Sequence, residues 1–169
     1  MAAHGNTWRN YLENGFWLIV PVLVLNVFFA GALPPPFQMS AFWTDIPASI
    51  GVPENVLRVA VFFFPLLFHL SLSTRANQAG LAVYLVGLAV YGLAWFMMIV
   101  FPTSAWSESG VVLLAPAYTP LVWLTGIALM TDRLLVSQFV YRPWMYVALS
   151  AAFLVFHISH TAIVVSRMT

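Results

Sequence analysis

The stretch AGLAVYLVGLAVYGLAWFMMIVF, Ala79 to Phe101, decides the fold. It runs for 23 residues without Asp, Glu, Lys, Arg or His. About 20 apolar residues in helical form cross the hydrocarbon core of a bilayer. The apolar residues sit on consecutive positions rather than alternating ones, which excludes a barrel strand. Inside the run, Gly80, Gly87 and Ala94 recur at seven-residue spacing, with Tyr84, Tyr91 and Met98 beside them at the same period. Small residues let helix backbones approach closely in lipid. The run therefore reads as a central helix, and the tyrosines as packing groups with satisfied hydroxyls.

Four further runs extend the pattern on either side: Gly15 to Leu33, Asn55 to Ser73, Gly110 to Met130 and Pro143 to Val165. Hydrophobic residues make up 62% of the 169-residue chain and charged residues 7%, against about 25% charged in a soluble domain. The expected fold is an all-α, polytopic membrane protein: one domain over residues 1–169, a bundle of five transmembrane helices. The ends of the runs carry matching signals. Pro53 and Pro143 suit first helical turns, Glu54 suits a helix N-terminus, and Asp132 with Arg133 closes the fourth run. Trp8, Trp17 and Trp144 fall near one interface, Trp43 and Trp106 near the other.

Ala30-Gly31-Ala32 has the small-residue character of a signal cleavage site. The apolar run before it is longer than the usual 7–15-residue signal core, however, and holds Pro21 and Asn26. A retained span is expected. The connection 34–54 opens with Pro34-Pro35-Pro36, a stiff extended exit. Phe37, Phe42, Trp43 and Ile46 make it too apolar for a free loop. It is expected to be a short interfacial segment capping the outer face.

Orientation follows from the basic residues. Arg9, Arg75, Arg133 and Arg142 share one side, while Arg167 and Arg58 lie toward the other. The positive-inside rule then places the N-terminus in the cytoplasm and the C-terminus outside.

The composition also narrows function. The chain has no Cys, hence no thiolate ligand, Cys nucleophile or disulfide, and no Lys. It offers no basic tract for nucleic acid and no polybasic patch for anionic lipid. Five spans do not divide into two equal halves, which disfavours an inverted-repeat transporter.

Ionisable groups inside spans are costly and mark candidate sites. Arg58 lies one turn after Glu54 on the same helical face. His157 and His160 are three residues apart on the fifth run, with Ser150 and Thr161 beside them. His69 falls on the opposite side of the bilayer midplane, which argues against a metal or haem bridged between these histidines. No metal site is therefore assigned, and no cofactor is identified. The fourth run contains Ala115-Pro116-Ala117-Tyr118-Thr119-Pro120, whose two prolines remove backbone donors and predict a kink. Arg58, Tyr118, Thr119, His157, His160 and Asn26 fall in the outer half, with Glu54 and Glu108 in the loops above. These eight are the candidate ligand-binding residues. His69, Ser73, Arg75, Asp132 and Arg133 form an inner group that reads as anchoring.

No catalytic motif appears. The reading that results is a non-catalytic membrane protein. It would bind a lipophilic small molecule, or serve as a subunit beside a membrane partner or further copies of itself. The alternatives are a small membrane enzyme acting on a lipid or isoprenoid, and a small transporter.

Overall fold

The computed structural model describes residues 11–105, 109–136 and 140–168. All five apolar runs are helical. Helix α1 has its α-helical centre at Val20–Phe29, flanked by 3-10 turns at Gly15–Leu18 and Ala30–Ala32. A 3-10 turn at Pro35–Phe37 and the short α2 (Met39–Phe42) follow. Helix α3 (Ala48–Phe63) continues through a 3-10 turn, Phe64–Leu67, into strand β1 (Phe68–Leu70). Helix α4 is Arg75–Val100. The fourth run is three pieces, α5 (Gly110–Leu113), α6 (Ala115–Tyr118) and α7 (Pro120–Met130), ending in β2 (Thr131–Leu134). Helix α8 is Pro143–Ser166.

Among the described residues, four helices are long and apolar enough to cross a membrane: Gly15–Ala32, Ala48–Leu67, Arg75–Val100 and Pro143–Ser166. Their buried shares run only from 17% to 33%. Val27, Phe28 and Val56 stand at least 64% exposed. Water would not tolerate so much contiguous apolar surface, and acyl chains would. The chain is a helical protein of integral-membrane character. Ala115–Met130 is a shorter apolar helix.

The order of packing is α1 beside α4, α4 on α7, α7 on α8 and α8 on α3. The α4–α7 contact is the closest. A Cβ added to Gly87 would lie 2.4 Å from the Trp123 nitrogen, and one on Gly126 2.4 Å from the Tyr84 nitrogen. Backbone touches backbone there, so only glycine fits. The seven-residue stripe is indeed the buried face of α4: Gly80, Tyr84, Gly87, Tyr91, Ala94 and Met98 are all buried. Its tyrosines strap α4 to α1. Tyr84 donates its hydroxyl to the Leu18 carbonyl (2.8 Å), and Tyr91 to Asn26 Oδ1 (2.7 Å). Tyr146 ties α8 to α3 in the same way, through the Val61 carbonyl at 2.8 Å.

The fourth run breaks at Leu114 and Thr119, yet both residues keep helical dihedrals. The helix is interrupted there but not unwound. Thr119 donates its hydroxyl to the Ala115 carbonyl at 2.7 Å, a local patch beside the donors missing at Pro116 and Pro120.

Three boundaries differ from those read in the sequence. The second run does not begin at Asn55. Pro47 starts the helix, its carbonyl accepting from Ile50 and Gly51 at 2.9 and 3.0 Å, and Pro53 is accommodated inside it. Nor does the helix reach Ser73. Pro65 tightens the chain into a 3-10 turn, after which Phe68–Leu70 pairs antiparallel with β2. The third run starts earlier than Ala79, because Thr74 and Asn77 form a reciprocal capping box ahead of Arg75.

Strands β1 and β2 close one end of the bundle, hereafter the His69 end. Glu13 and Asn14 run alongside: the Leu70 N–H donates to the Glu13 carbonyl at 2.7 Å, and Asn14 bridges to His69. The opposite end, where Glu54 lies, is covered by 34–47.

Candidate functional site

The Glu54 end is built around one carboxylate. Glu54 lies in α3 and is fully buried. Its position follows from the early start of α3, which carries residue 54 below the helix mouth rather than into a loop. Arg58, one turn on, pairs with Glu54 Oε1. The same oxygen accepts from His157 Nδ1 at 2.8 Å, and Oε2 faces His160 Nδ1 at 2.5 Å. Both histidines project from α8 toward α3 because three residues nearly complete a helical turn.

Aromatic rings enclose the group. Phe153, one turn before His157, stacks on its ring at 5.3 Å and 10°. The Arg58 guanidinium lies 5.4 Å from the Trp43 ring centre and 5.9 Å from that of Phe153, a partly exposed cation set against two π faces. Phe42 stacks on His160 at 4.1 Å, and Trp43 meets it edge-on at 4.6 Å. The Phe42 carbonyl accepts from His160 Nε2 at 2.8 Å. Segment 34–47 is thus a cap whose rings and backbone sit on the histidine. Arg167, just past α8, holds its far side by donating to the Thr44 and Asp45 carbonyls at 2.6 and 2.9 Å. That hold accompanies a left-handed Asp45, at φ 53°.

Hydrogen-bond bookkeeping fixes the charge. A carbonyl oxygen can only accept, so His160 Nε2 carries a hydrogen. Its Nδ1 faces a carboxylate oxygen, and two lone pairs cannot meet at that distance. A proton therefore lies between Glu54 and His160. With Arg58 cationic and His157 counted as neutral, the cluster carries one surplus positive charge. Arg58 and His157 are its partly exposed members, with side chains 32% and 21% accessible.

Four of the eight sequence candidates thus meet: Glu54, Arg58, His157 and His160. Asn26 is instead engaged by Tyr91 between α1 and α4. Thr119 is turned back onto its own helix. Tyr118 is 40% exposed on α6. Glu108, like Trp106, lies outside the described residues. The sequence reading did not anticipate Phe42 and Trp43 as site walls. The signal was their apolar character in a connecting segment.

At the His69 end, His69 Nδ1 faces Asp132 Oδ1 at 2.8 Å and its Nε2 faces Glu13 Oε2 at 2.9 Å. The inner group therefore includes Glu13, and His69 joins three chain segments. His69 stands on strand β1, because α3 and its 3-10 extension end at Leu67. Among the described residues no group of three His, Asp or Glu side chains is arranged to hold a metal ion.

No family model, curated protein or solved structure matches the chain, so its fold and sites stand on its own residues.

Proposed function

We propose that this is a five-span integral membrane protein that binds a lipophilic molecule by an anionic head and performs no chemistry on it. The single observation that carries this reading is the surplus positive charge at the Glu54 end. One carboxylate is set against Arg58 and a proton held by His160, inside a ring of aromatic side chains. A charge removed from water needs a counter-charge. A carboxylate or phosphate on an acyl chain supplies it, and Arg58 with His157 is the open side. Glu54 already serves three partners, which argues against its acting as a general base in a membrane enzyme. The Arg distribution supports a cytoplasmic N-terminus and an outside C-terminus. The interrupted Gly110–Met130 stretch, packed on α4 and α8, supplies the fifth span.

Photolabelling tests it. Oleate carrying a diazirine in its chain is expected to mark Phe42, Trp43 and the 153–160 turn in detergent-purified protein. Arg58→Gln should remove that labelling. Labelling spread evenly over the exposed face of α1, unchanged by Arg58→Gln, would sink the reading. Crosslinks to a co-purifying polypeptide instead would favour the assembly-subunit alternative.

A further inference from the structure

Helices α1 and α3 stand at the two ends of the packing series α1, α4, α7, α8, α3. The 3-10 turns beside them, Gly15–Leu18 and Phe64–Leu67, touch at the His69 end. Their α-helical lengths do not pack in the same way, and a seam runs between them toward the Glu54 end. The seam has a sealed floor, since Val22 and Val61 are fully buried. One turn further on, Leu25 and Asn26 of α1 and Leu57 and Arg58 of α3 are only partly buried. Leu18 to Asn26 and Arg58 to Phe64 each rise about 9–12 Å at 1.5 Å per residue, so Asn26 and Arg58 stand at similar heights. Val27 and Phe28 of α1 and Val56 and Val59 of α3 are exposed, and the seam opens among surfaces suited to acyl chains. We propose, resting on the reading of the Glu54 end given above, that the seam seats an anionic glycerophospholipid. Its head pairs with Arg58, and an ester carbonyl accepts from the Trp95 indole N–H and the Asn26 amide.

The unused donors point to this seat. Among the described residues, two buried side-chain N–H groups lack an acceptor, Trp95 Nε1 and Trp123 Nε1. Both rings pack around Tyr91, at centroid distances of 6.2 and 6.3 Å. An N–H without an acceptor is costly in an apolar medium. Trp123 is enclosed where α7 meets α4. Trp95 is only partly buried and lies one turn nearer the Glu54 end than Tyr91. Its N–H acts on the Tyr91 phenol without meeting it in hydrogen-bonding geometry. The phenol itself donates to Asn26 Oδ1 at 2.7 Å. Asn26 Nδ2 carries two hydrogens and makes no hydrogen bond with the described residues. Tyr91 also lies within electrostatic reach of Arg58. Indole, amide and guanidinium thus converge on one phenol, and what they leave open is N–H donors.

Open donors beside a cation call for a ligand that offers acceptors only. A fatty acid answers Arg58, but its chain has no acceptor beyond the carboxylate. A glycerophospholipid carries ester carbonyls a few bonds from its phosphate, so one molecule supplies both kinds of acceptor. A head with an ammonium would bring a cation to a cluster that already holds surplus positive charge. The acyl chains then lie along the apolar flanks of α1 and α3.

Native mass spectrometry of the whole protein in detergent tests this with two probes. One is dioleoyl phosphatidylglycerol. The other is its dialkyl ether analogue, which has the same head and chains without the carbonyls. The ester lipid should be retained about tenfold better, the scale of one hydrogen bond to a buried donor. Trp95→Phe and, independently, Asn26→Leu should each lower that ratio. A variant that merely loosens the fold lowers both lipids alike, so the ratio reports the carbonyl contact. Trp144→Phe, which removes an exposed indole at the His69 end, should keep the full ratio. Arg58→Gln should lower both lipids together, as the reading of the Glu54 end requires. If it does so while the wild-type ratio is one, that reading stands and the carbonyl seat falls. If Arg58→Gln changes neither lipid, the reading falls and the seat with it. An unchanged ratio in either Trp95→Phe or Asn26→Leu would overturn the proposal. So would displacement of the ester lipid by millimolar glycerol 3-phosphate, which carries the phosphate without chains or carbonyls and would assign the site to a soluble ligand.

Discussion

His160 holds Phe42 twice: its Nε2 donates to the Phe42 carbonyl at 2.8 Å while the two rings stack at 4.1 Å. The capping segment is therefore bonded, through the same imidazole, to the buried Glu54 carboxylate. Cap and ion cluster form one unit.

That unit predicts a graded loss on mutation. Glu54→Ala leaves Arg58 and His160 facing each other without a carboxylate. Breaking a buried pair on one side costs about 3–5 kcal/mol. Glu54→Gln keeps the shape and one acceptor and should cost less. His160→Phe removes both the donor to Phe42 and the proton shared with Glu54, so it should loosen the cap as well. Thermal melts in detergent should rank the variants Glu54→Ala below Glu54→Gln. Limited proteolysis within 38–47 should accelerate in His160→Phe.

The crossing of α4 and α7 should reject any side chain at its contact points. Gly87→Ala and Gly126→Ala each force a carbon to within 2.4 Å of facing backbone nitrogen. Overpacking of this kind costs about 1–3 kcal/mol or more. Gly92→Ala, whose nearest neighbour would be Leu25 Cδ1 at 3.5 Å, is the matched control and should melt like the wild type. Equal melting of all three variants would contradict the packing described.

Tyr141, ahead of α8, is buried, and that burial pushes its phenol above the ordinary value of 10.0. Its hydroxyl donates to the Ala128 carbonyl at 3.3 Å. The folded state therefore holds this proton more tightly than the unfolded chain does. The resulting stabilisation is complete below about pH 10 and declines as pH rises past the unfolded value. Tyr141→Phe loses the hydrogen bond, worth about 1 kcal/mol at neutral pH, but has no phenol to ionise. Its stability deficit relative to wild type should shrink between about pH 9 and 11, measured by denaturation midpoints. A constant deficit would show that the phenol does not titrate with unfolding.

The absence of cysteine makes side-of-membrane labelling clean. Leu72→Cys and Val136→Cys lie toward the His69 end, while Met39→Cys and Met168→Cys lie toward the Glu54 end, all at exposed positions. With five spans, an impermeant maleimide on sealed vesicles should label the first pair from one side and the second pair from the other. Labelling of Val136→Cys from the same side as Met39→Cys would mean that Gly110–Met130 does not cross.

Much of this architecture is legible in the sequence, and the reason is local. An apolar run of about 20 residues must satisfy its backbone within itself, so it becomes a helix wherever it lies. The glycine–tyrosine stripe of Ala79–Phe101 likewise reports its buried face directly, since periodicity and face are the same fact on a helix. The proline pair Pro116 and Pro120 marks the interruptions of the fourth run for a similarly local reason.

What only the tertiary structure decides is which polar groups meet. Glu54 reads as a loop carboxylate until Pro47 is seen to start α3 and bring it inside. Its partners His157 and His160 lie on α8, and they reach it only because α3 and α8 pack side by side. His69 reads as a helix residue until Pro65 ends the helix and lets β1 pair with β2. Glu13 and Asp132 then converge on it from opposite ends of the chain. Backbone hydrogen bonding in an apolar medium is settled within each segment. Charge pairing is settled between segments, where a burial cost of several kcal/mol per ion selects partners by proximity in the fold and not in the sequence.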